Sequence, residues 1–236
     1  MERLTKEPQY SLHFDVLRDA GRSRLGLGSN ATWNIDPSRL AFVLSRYKFV
    51  SRMLDGLDSV VEIGCGDGFA SRIVRQRVRA LTVTDFDPLY AEEAAAQLTD
   101  PWDANSLVHD FVKEPMSQVF SGAYGLDVLE HISVDNERVF LRNIVRSLST
   151  DGVLILGMPS LESQAHASPA SLAGHINCKS APDFKALVGE FFSNVFMFSM
   201  NDEVVHTGFH PMSHYLLALG VGPKAPSPPN TEASTG

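Results

Sequence analysis

Apolar positions along the chain change their rhythm twice. From Asp36 onward, Leu40, Val43, Leu44, Tyr47, Val50 and Leu54 fall at helical spacing, which predicts a helix with one buried face. Asp36 followed by Pro37 starts it, with a side-chain acceptor at the cap and a ring whose missing donor the first turn does not need. Gly56 stops it. Ahead of it, Gly21, Gly26 and Gly28 mark residues 21–33 as a loop. Between Ser59 and Pro159 short apolar runs alternate with amphipathic segments. Strands are expected at 60–63, 81–84, 106–109, 123–127 and 153–157. Helices fall near 69–77, 89–98 and 136–149, with a turn or short helix over 114–120. Strands without clean alternation, spaced by helices, point to a parallel sheet buried on both faces. Its ligand site belongs at the carboxyl ends of the strands.

Beyond Pro159 the pattern changes again. Residues 160–179 are polar and long for a connection, which marks them as functional or mobile. Ser180 with Asp183 resembles a capping box and opens a helix to about Phe191. Two further strands are expected at 195–200 and 214–219. The tail, 223–236, carries four prolines and no apolar periodicity, so disorder is expected there. The chain divides into an N-terminal loop and helix over 1–58 (a candidate lid), a ligand-binding domain over 59–222 with an insertion near 160–179, and the tail.

Composition narrows the class. The chain has 236 residues, 44% hydrophobic and 20% charged, as one ordinary globular domain does. Lys and Arg number 20 against 28 Asp and Glu, a net charge of −8, which disfavours a broad nucleic-acid surface. Two cysteines, Cys65 and Cys178, form no disulfide framework and suit a reducing compartment. No apolar run reaches the length of about 18 residues that a membrane helix needs. Met1 to Gln9 is charged and lacks a signal peptide's apolar segment. A cytoplasmic protein without a membrane segment is expected.

The informative segment is Val60-Val61-Glu62-Ile63-Gly64-Cys65-Gly66-Asp67-Gly68. A strand ends at Ile63, and three alternate glycines lead toward a helix, bringing bare backbone and free N–H groups close to a ligand. A dinucleotide fingerprint would place a third glycine where Phe69 stands. Its pyrophosphate would also be repelled by Glu62 and Asp67, whereas an ammonium group is attracted. Asp85 closes the second strand and can accept from two ribose hydroxyls. Asp110 and Phe111 close the third, offering an acceptor for a base amine and a ring for its face. Glycine turn, ribose acid and base acid together describe a nucleoside with an amino-acid tail, which is S-adenosylmethionine.

The residues from Glu62 to Gly68 resemble the first motif of class I S-adenosylmethionine-dependent methyltransferases. Thr84-Asp85-Phe86-Asp87-Pro88 resembles the second, Leu126-Asp127-Val128-Leu129-Glu130-His131 the segment ending the fourth strand, and residues 152–159 the fifth strand and its exit. The resemblance implies an α/β, doubly wound, Rossmann-like sheet of seven strands with the last antiparallel, preceded by an N-terminal helical segment. It also implies cofactor contacts: Glu62, Gly64, Cys65 and Gly66 around the methionine part, Asp85 and Phe86 at the ribose and adenine. Asp110 and Phe111 would meet the adenine edge and face, and Leu126 and Asp127 the sulfonium and amino group.

Histidines crowd the second half of the chain. His131, His166, His175 and His206 are the candidate general bases, with a packing role as the competing reading for His131. His206, His210 and His214 recur every four residues, but Gly208 and Pro211 interrupt any helix that would align them on a metal, so no metal is expected. The expected function is methylation of a small-molecule acceptor at oxygen, on a sugar or biosynthetic intermediate. N- or C-methylation and a non-catalytic cofactor-binding partner are the alternatives. The Asn/Asp-Pro-Pro-Tyr/Phe signature of nucleobase amino-methylating enzymes is absent after the fourth strand. A homodimer is compatible with this reading.

Overall fold

The computed structural model describes residues 5–224. Helices α1 (Leu12–Ala20) and α2 (Leu27–Ile35) precede α3 (Pro37–Met53). Asp36 caps α3 by accepting from Ser38 N. The segment expected as a loop over 21–33 therefore contains most of a helix. Its capping acid comes from the glycine turn: Asp67 accepts from Ser29 N at 2.7 Å and from Ser29 Oγ at 3.1 Å. A carboxylate far away in sequence satisfies the free donors of that helix end, and no local pattern announces it.

One sheet organises the rest. Its strands are β1 (Ser59–Ile63), β2 (Ala80–Asp85), β3 (Asn105–Val108), β4 (Phe120–Leu126), β5 (Leu148–Pro159), β6 (Phe192–Asn201), β7 (Val204–His206) and β8 (Tyr215–Pro223). They lie in the order β3-β2-β1-β4-β5-β8-β6-β7. The first five in that order pair parallel, β8 lies antiparallel between β5 and β6, and β7 is antiparallel to β6. The expected doubly wound architecture and its antiparallel ending are present. The strand count is eight rather than seven. The extra strand, β7, closes a hairpin whose turn holds Asp202 in the left-handed region, and three residues are too few to show a period. Of the expected tail, residues from 225 on lie outside the described residues, while Pro223 ends β8.

Helices α4 (Arg72–Arg75), α5 (Pro88–Gln97), α6 (Val134–Arg146), α7 (Pro169–Gly174) and α8 (Ala181–Phe191) complete the chain. The helix expected over 69–77 shrinks to α4 because its neighbours turn too tightly. Val74 N bonds Ser71 O and Arg77 N bonds Val74 O, both three residues back. Alternate residues of the strands feed two apolar cores, one on each face. Val61, Leu154 and Leu156 join Phe140, Ile144 and Phe184 on one side, and Val60, Tyr124 and Ile155 join Tyr47, Val50 and Val74 on the other. α3 thus belongs to the core through its buried face. Residues 160–179 make a closed excursion: a single bridge joins Ser160 to Lys179, and Leu161 N donates to Lys179 O at 2.9 Å. No helix of the described residues is long and apolar enough to cross a membrane.

Candidate active site

The carboxyl ends of β1, β2 and β4 surround a cavity of about 870 Å³, lined among others by Gly64, Gly66, Asp85, Phe86, Asp110 and Asp127. That size suits a nucleoside with a tail. Gly64, Gly66 and Gly68 all adopt positive φ. A Cβ on Gly66 would meet no atom within 4 Å, so the bare backbone faces open space. Asp85 is nearly buried and fixes the turn, accepting from Gly66 N through Oδ2 and from Asp87 N through Oδ1, each at 3.0 Å. Asp110 is held by Val112 N at 2.9 Å. Asp127 sits in the left-handed region at φ 57°. It pairs with Arg46 of α3 at 2.7 Å, and that guanidinium lies 3.7 Å over the Tyr215 ring.

Four of the residues expected at the cofactor are placed elsewhere. Phe111 is buried, packing edge-on against Phe140 while Asn143 Nδ2 donates to its carbonyl at 2.9 Å. Its ring belongs to the core and does not line the cavity. Cys65 and Leu126 are likewise buried in the opposite core, and burial pushes the Cys65 thiol far up, as befits a small filler. Glu62 lies fully inside, accepting from Tyr47 Oη at 2.6 Å and Tyr124 Oη at 2.7 Å. Burial raises its carboxyl above the usual range although both hydroxyls favour the ion. It locks α3 to β1 and β4 beneath the site.

A second cavity, about 610 Å³, opens beside the first. Arg39 and Arg46 from α3, His166 and His175 from the 160–179 excursion, and His214 and Tyr215 line it. His131 lines the first cavity, and its ring centroid is 5.3 Å from that of His175. Each of these two rings directs Nδ1 at an oxygen: His131 at Gly174 O (2.8 Å) and His175 at Gln164 Oε1 (3.0 Å). A carbonyl oxygen only accepts, so Nδ1 carries the hydrogen and Nε2 keeps its lone pair. Burial, with the neighbouring His131 second, lowers the His175 pKa and keeps it neutral. Glu130, buried beside them, is pushed well above the carboxylate range by burial and then by Asp127.

His206 stands apart from this group. It sits in the β6–β7 hairpin, lines neither cavity, takes a hydrogen bond from Gly208 N on Nδ1 and meets Asn201 Oδ1 through Nε2. With both nitrogens engaged it has no lone pair for a base. His210 bonds Ser199 Oγ and His214 accepts from Asp202 N, so the four-residue row of histidines is spread over a turn and a strand rather than converging. Sequence reasoning gave Arg46 and Tyr47 only as lid or packing residues of the N-terminal segment and missed Tyr124, because their partners lie on other elements.

Two glycine substitutions separate folding from binding here. Gly64→Ala puts a Cβ 2.5 Å from Val128 Cγ2 at φ +70°, so backbone strain and a clash add to about 2–5 kcal/mol of destabilisation. Gly66→Ala meets no clash and is expected to cost about 1–2 kcal/mol of stability while weakening cofactor affinity at least tenfold. Urea denaturation and titration calorimetry read the two effects.

Residues 34–191 match a sequence family described as a methyltransferase domain. No curated protein matches the chain. Among solved structures, the N-methyltransferase NodS from Bradyrhizobium japonicum WM9, in complex with S-adenosyl-L-homocysteine, is similar with a TM-score of 0.60 at 17% identity, over 92% of this chain and 100% of that one. A TehB-like SAM-dependent methyltransferase from Corynebacterium glutamicum gives 0.58 at 18% identity, over 91% and 96%. The plantazolicin methyltransferase BpumL, in complex with SAH, gives 0.62 at 15%, over 83% and 89%. Glycine turn, strand-end acids and strand order therefore have one common explanation: the chain belongs to the methyltransferase-domain family, an enzyme of the class I Rossmann-like fold whose cofactor is S-adenosylmethionine.

Proposed function

We propose that the protein methylates a hydroxyl of a small molecule, a sugar or biosynthetic intermediate, seated in the second cavity. The observation that carries this reading is the junction of the two cavities, where His131 on one side and His175 on the other stand 5.3 Å apart. Bound S-adenosylmethionine supplies an electrophilic methyl group on a sulfonium. The chain's own residues supply the rest. Gly64 and Gly66 admit the methionine part, Asp85 holds the ribose hydroxyls, and Asp110 meets the adenine edge. Asp127, held by Arg46, presents a carboxylate where an ammonium would lie. An in-line displacement leaves a neutral thioether, so alignment and exclusion of water matter more than charge stabilisation at the leaving group. An alcohol must in addition lose its proton. The Nε2 atoms of His131 and His175, whose lone pairs no hydrogen bond among the described residues engages, support the reading that one of them takes that proton.

A metabolite extract incubated with methyl-labelled cofactor tests the reading. The expected product is a small molecule labelled at oxygen, with one S-adenosylhomocysteine released per methyl transferred. Label appearing on nitrogen or carbon would replace oxygen as the target atom. Cofactor binding without release on any extract would favour the non-catalytic partner reading.

A further inference from the structure

Glu130 has no structural explanation in the apolar and polar contacts around it. Its side chain is fully buried, and neither carboxylate oxygen has a hydrogen-bond partner among the described residues. A buried carboxyl without a partner either keeps its proton or, where ligand atoms stand beside it, gives that proton up to a cation. The nearby Arg46 spends Nη1 on Asp127 and its face on Tyr215, and its Nε, buried without a partner, makes no hydrogen bond to Glu130. The backbone of Glu130, by contrast, is firmly held: its carbonyl accepts from Ile176 N at 2.9 Å and Asn177 N at 3.0 Å. Those bonds draw His175 alongside it. One ligand-type atom each of Glu130, His131 and His175 lie within 4.8 Å of one another.

The two imidazoles are oriented as metal ligands are. Each donates Nδ1–H to an oxygen, Gly174 O for His131 and Gln164 Oε1 for His175, which fixes the tautomer and leaves Nε2 as the ligand. Gln164 is itself oriented, because its Nε2 donates to Ser160 O at 3.2 Å. The His131 ring rests on Gly174, where a Cβ would come within 3.2 Å of it. We infer that Glu130, His131 and His175 bind a divalent transition-metal cation at the junction of the cofactor and acceptor cavities. Two imidazoles and one carboxylate suit manganese, iron, cobalt or zinc better than magnesium. Bonds near 2.1 Å bring neighbouring ligand atoms to about 3–3.5 Å, so the three residues close further around a bound ion. The exposed His131 ring has room to supply that movement.

Three protein ligands leave positions open for substrate. The acceptor this selects is one with two adjacent oxygens that chelate the cation. With the ion bound the two Nε2 atoms are ligands and no longer bases, and the coordinated hydroxyl instead releases its proton to water more readily, the work the proposed methyl transfer requires. The cation's use rests on the proposed function; its binding does not.

Chelator-treated full-length protein, reloaded with Co(II) or Mn(II), tests the inference by equilibrium dialysis with elemental analysis, cobalt d–d absorption and manganese paramagnetic resonance. One bound ion per chain is expected. Glu130→Gln and His175→Ala should each weaken binding about a hundredfold, Gln164→Ala about tenfold, and His206→Ala not at all. Calorimetry with S-adenosylmethionine on the same samples shows that each variant is folded. Should Glu130→Gln fail to fold, Gln164→Ala carries the comparison. Cofactor binding with no stoichiometric ion, or ion binding that Glu130→Gln and Gln164→Ala leave unchanged, overturns the metal site and leaves the proposed function standing. Absence of cofactor binding in the wild-type chain overturns the proposed function whatever the ion does.

Discussion

Replacing Asp85 with alanine is expected to reduce the affinity for S-adenosylmethionine at least a hundredfold. The carboxylate sits nearly buried at the end of β2 and lines the cofactor cavity. One lone pair of each oxygen is used on the backbone, at Gly66 N and Asp87 N. The carboxylate's remaining lone pairs are the acceptors that the proposed site offers to two ribose hydroxyls. Hydrogen bonds to a charged group contribute about 1.5–3 kcal/mol each, so two of them amount to at least about 3 kcal/mol, or roughly a hundredfold in Kd. The alanine variant also frees Gly66 N and slackens a turn whose shape depends on that bond. Asp85→Asn keeps one acceptor oxygen, and its loss should fall between the two. Calorimetry with cofactor and with S-adenosylhomocysteine measures this, with circular dichroism as the control for folding. A Kd within threefold of wild type would place the ribose somewhere else.

The second large effect concerns stability. The double variant Tyr47→Phe, Tyr124→Phe is expected to lose about 3–5 kcal/mol, because it leaves the Glu62 carboxylate buried with neither of its donors. For a chain of this size that corresponds to a Tm lower by roughly 6–20 °C. Packing is nearly unchanged, since the two rings keep their edge-to-face contact at 6.0 Å. The deficit should depend on pH. Burial already holds the Glu62 carboxyl above its ordinary value, and removing both hydroxyls raises it further. A group raised in the folded state contributes stability below its unfolded pKa and loses it as the pH climbs through the folded one. The gap between variant and wild type is therefore smallest in acid and widens toward neutrality. Urea denaturation at several pH values measures it. A gap independent of pH would mean that the carboxylate plays no part in the loss.

How much was legible in the sequence follows from where each stabilising partner lies. β1, β2, β4 and β5 announce themselves because short apolar runs with buried neighbours on both faces have few other uses. The strand-end acids and alternate glycines were equally plain, and Gly64, Gly66, Asp85, Phe86, Asp110 and Asp127 all line one cavity. Residues whose role depends on distant partners were misplaced. Glu62 reads as an acid near the ligand until Tyr47 and Tyr124 arrive from α3 and β4 to take up both oxygens. Phe111 reads as a platform for adenine, but the turn after β3 sends its ring toward Phe140. Helix α2 was invisible because its capping carboxylate is Asp67. Among the histidines, spacing alone could not separate His131 and His175, which meet, from His206, which bonds within its own hairpin.

The bridge between Ser160 and Lys179 also bears on how such an enzyme diversifies. Everything between those two positions leaves the sheet and returns to it at one doorway, while β5 pairs with β4 before it and with β8 after it, over residues outside the excursion. Because the entropy of closing such a segment grows only slowly with its length, this stretch is a cassette. Descendants could lengthen it, shorten it or exchange it, and under the proposed function so retarget the enzyme to new acceptors, without rebuilding the sheet.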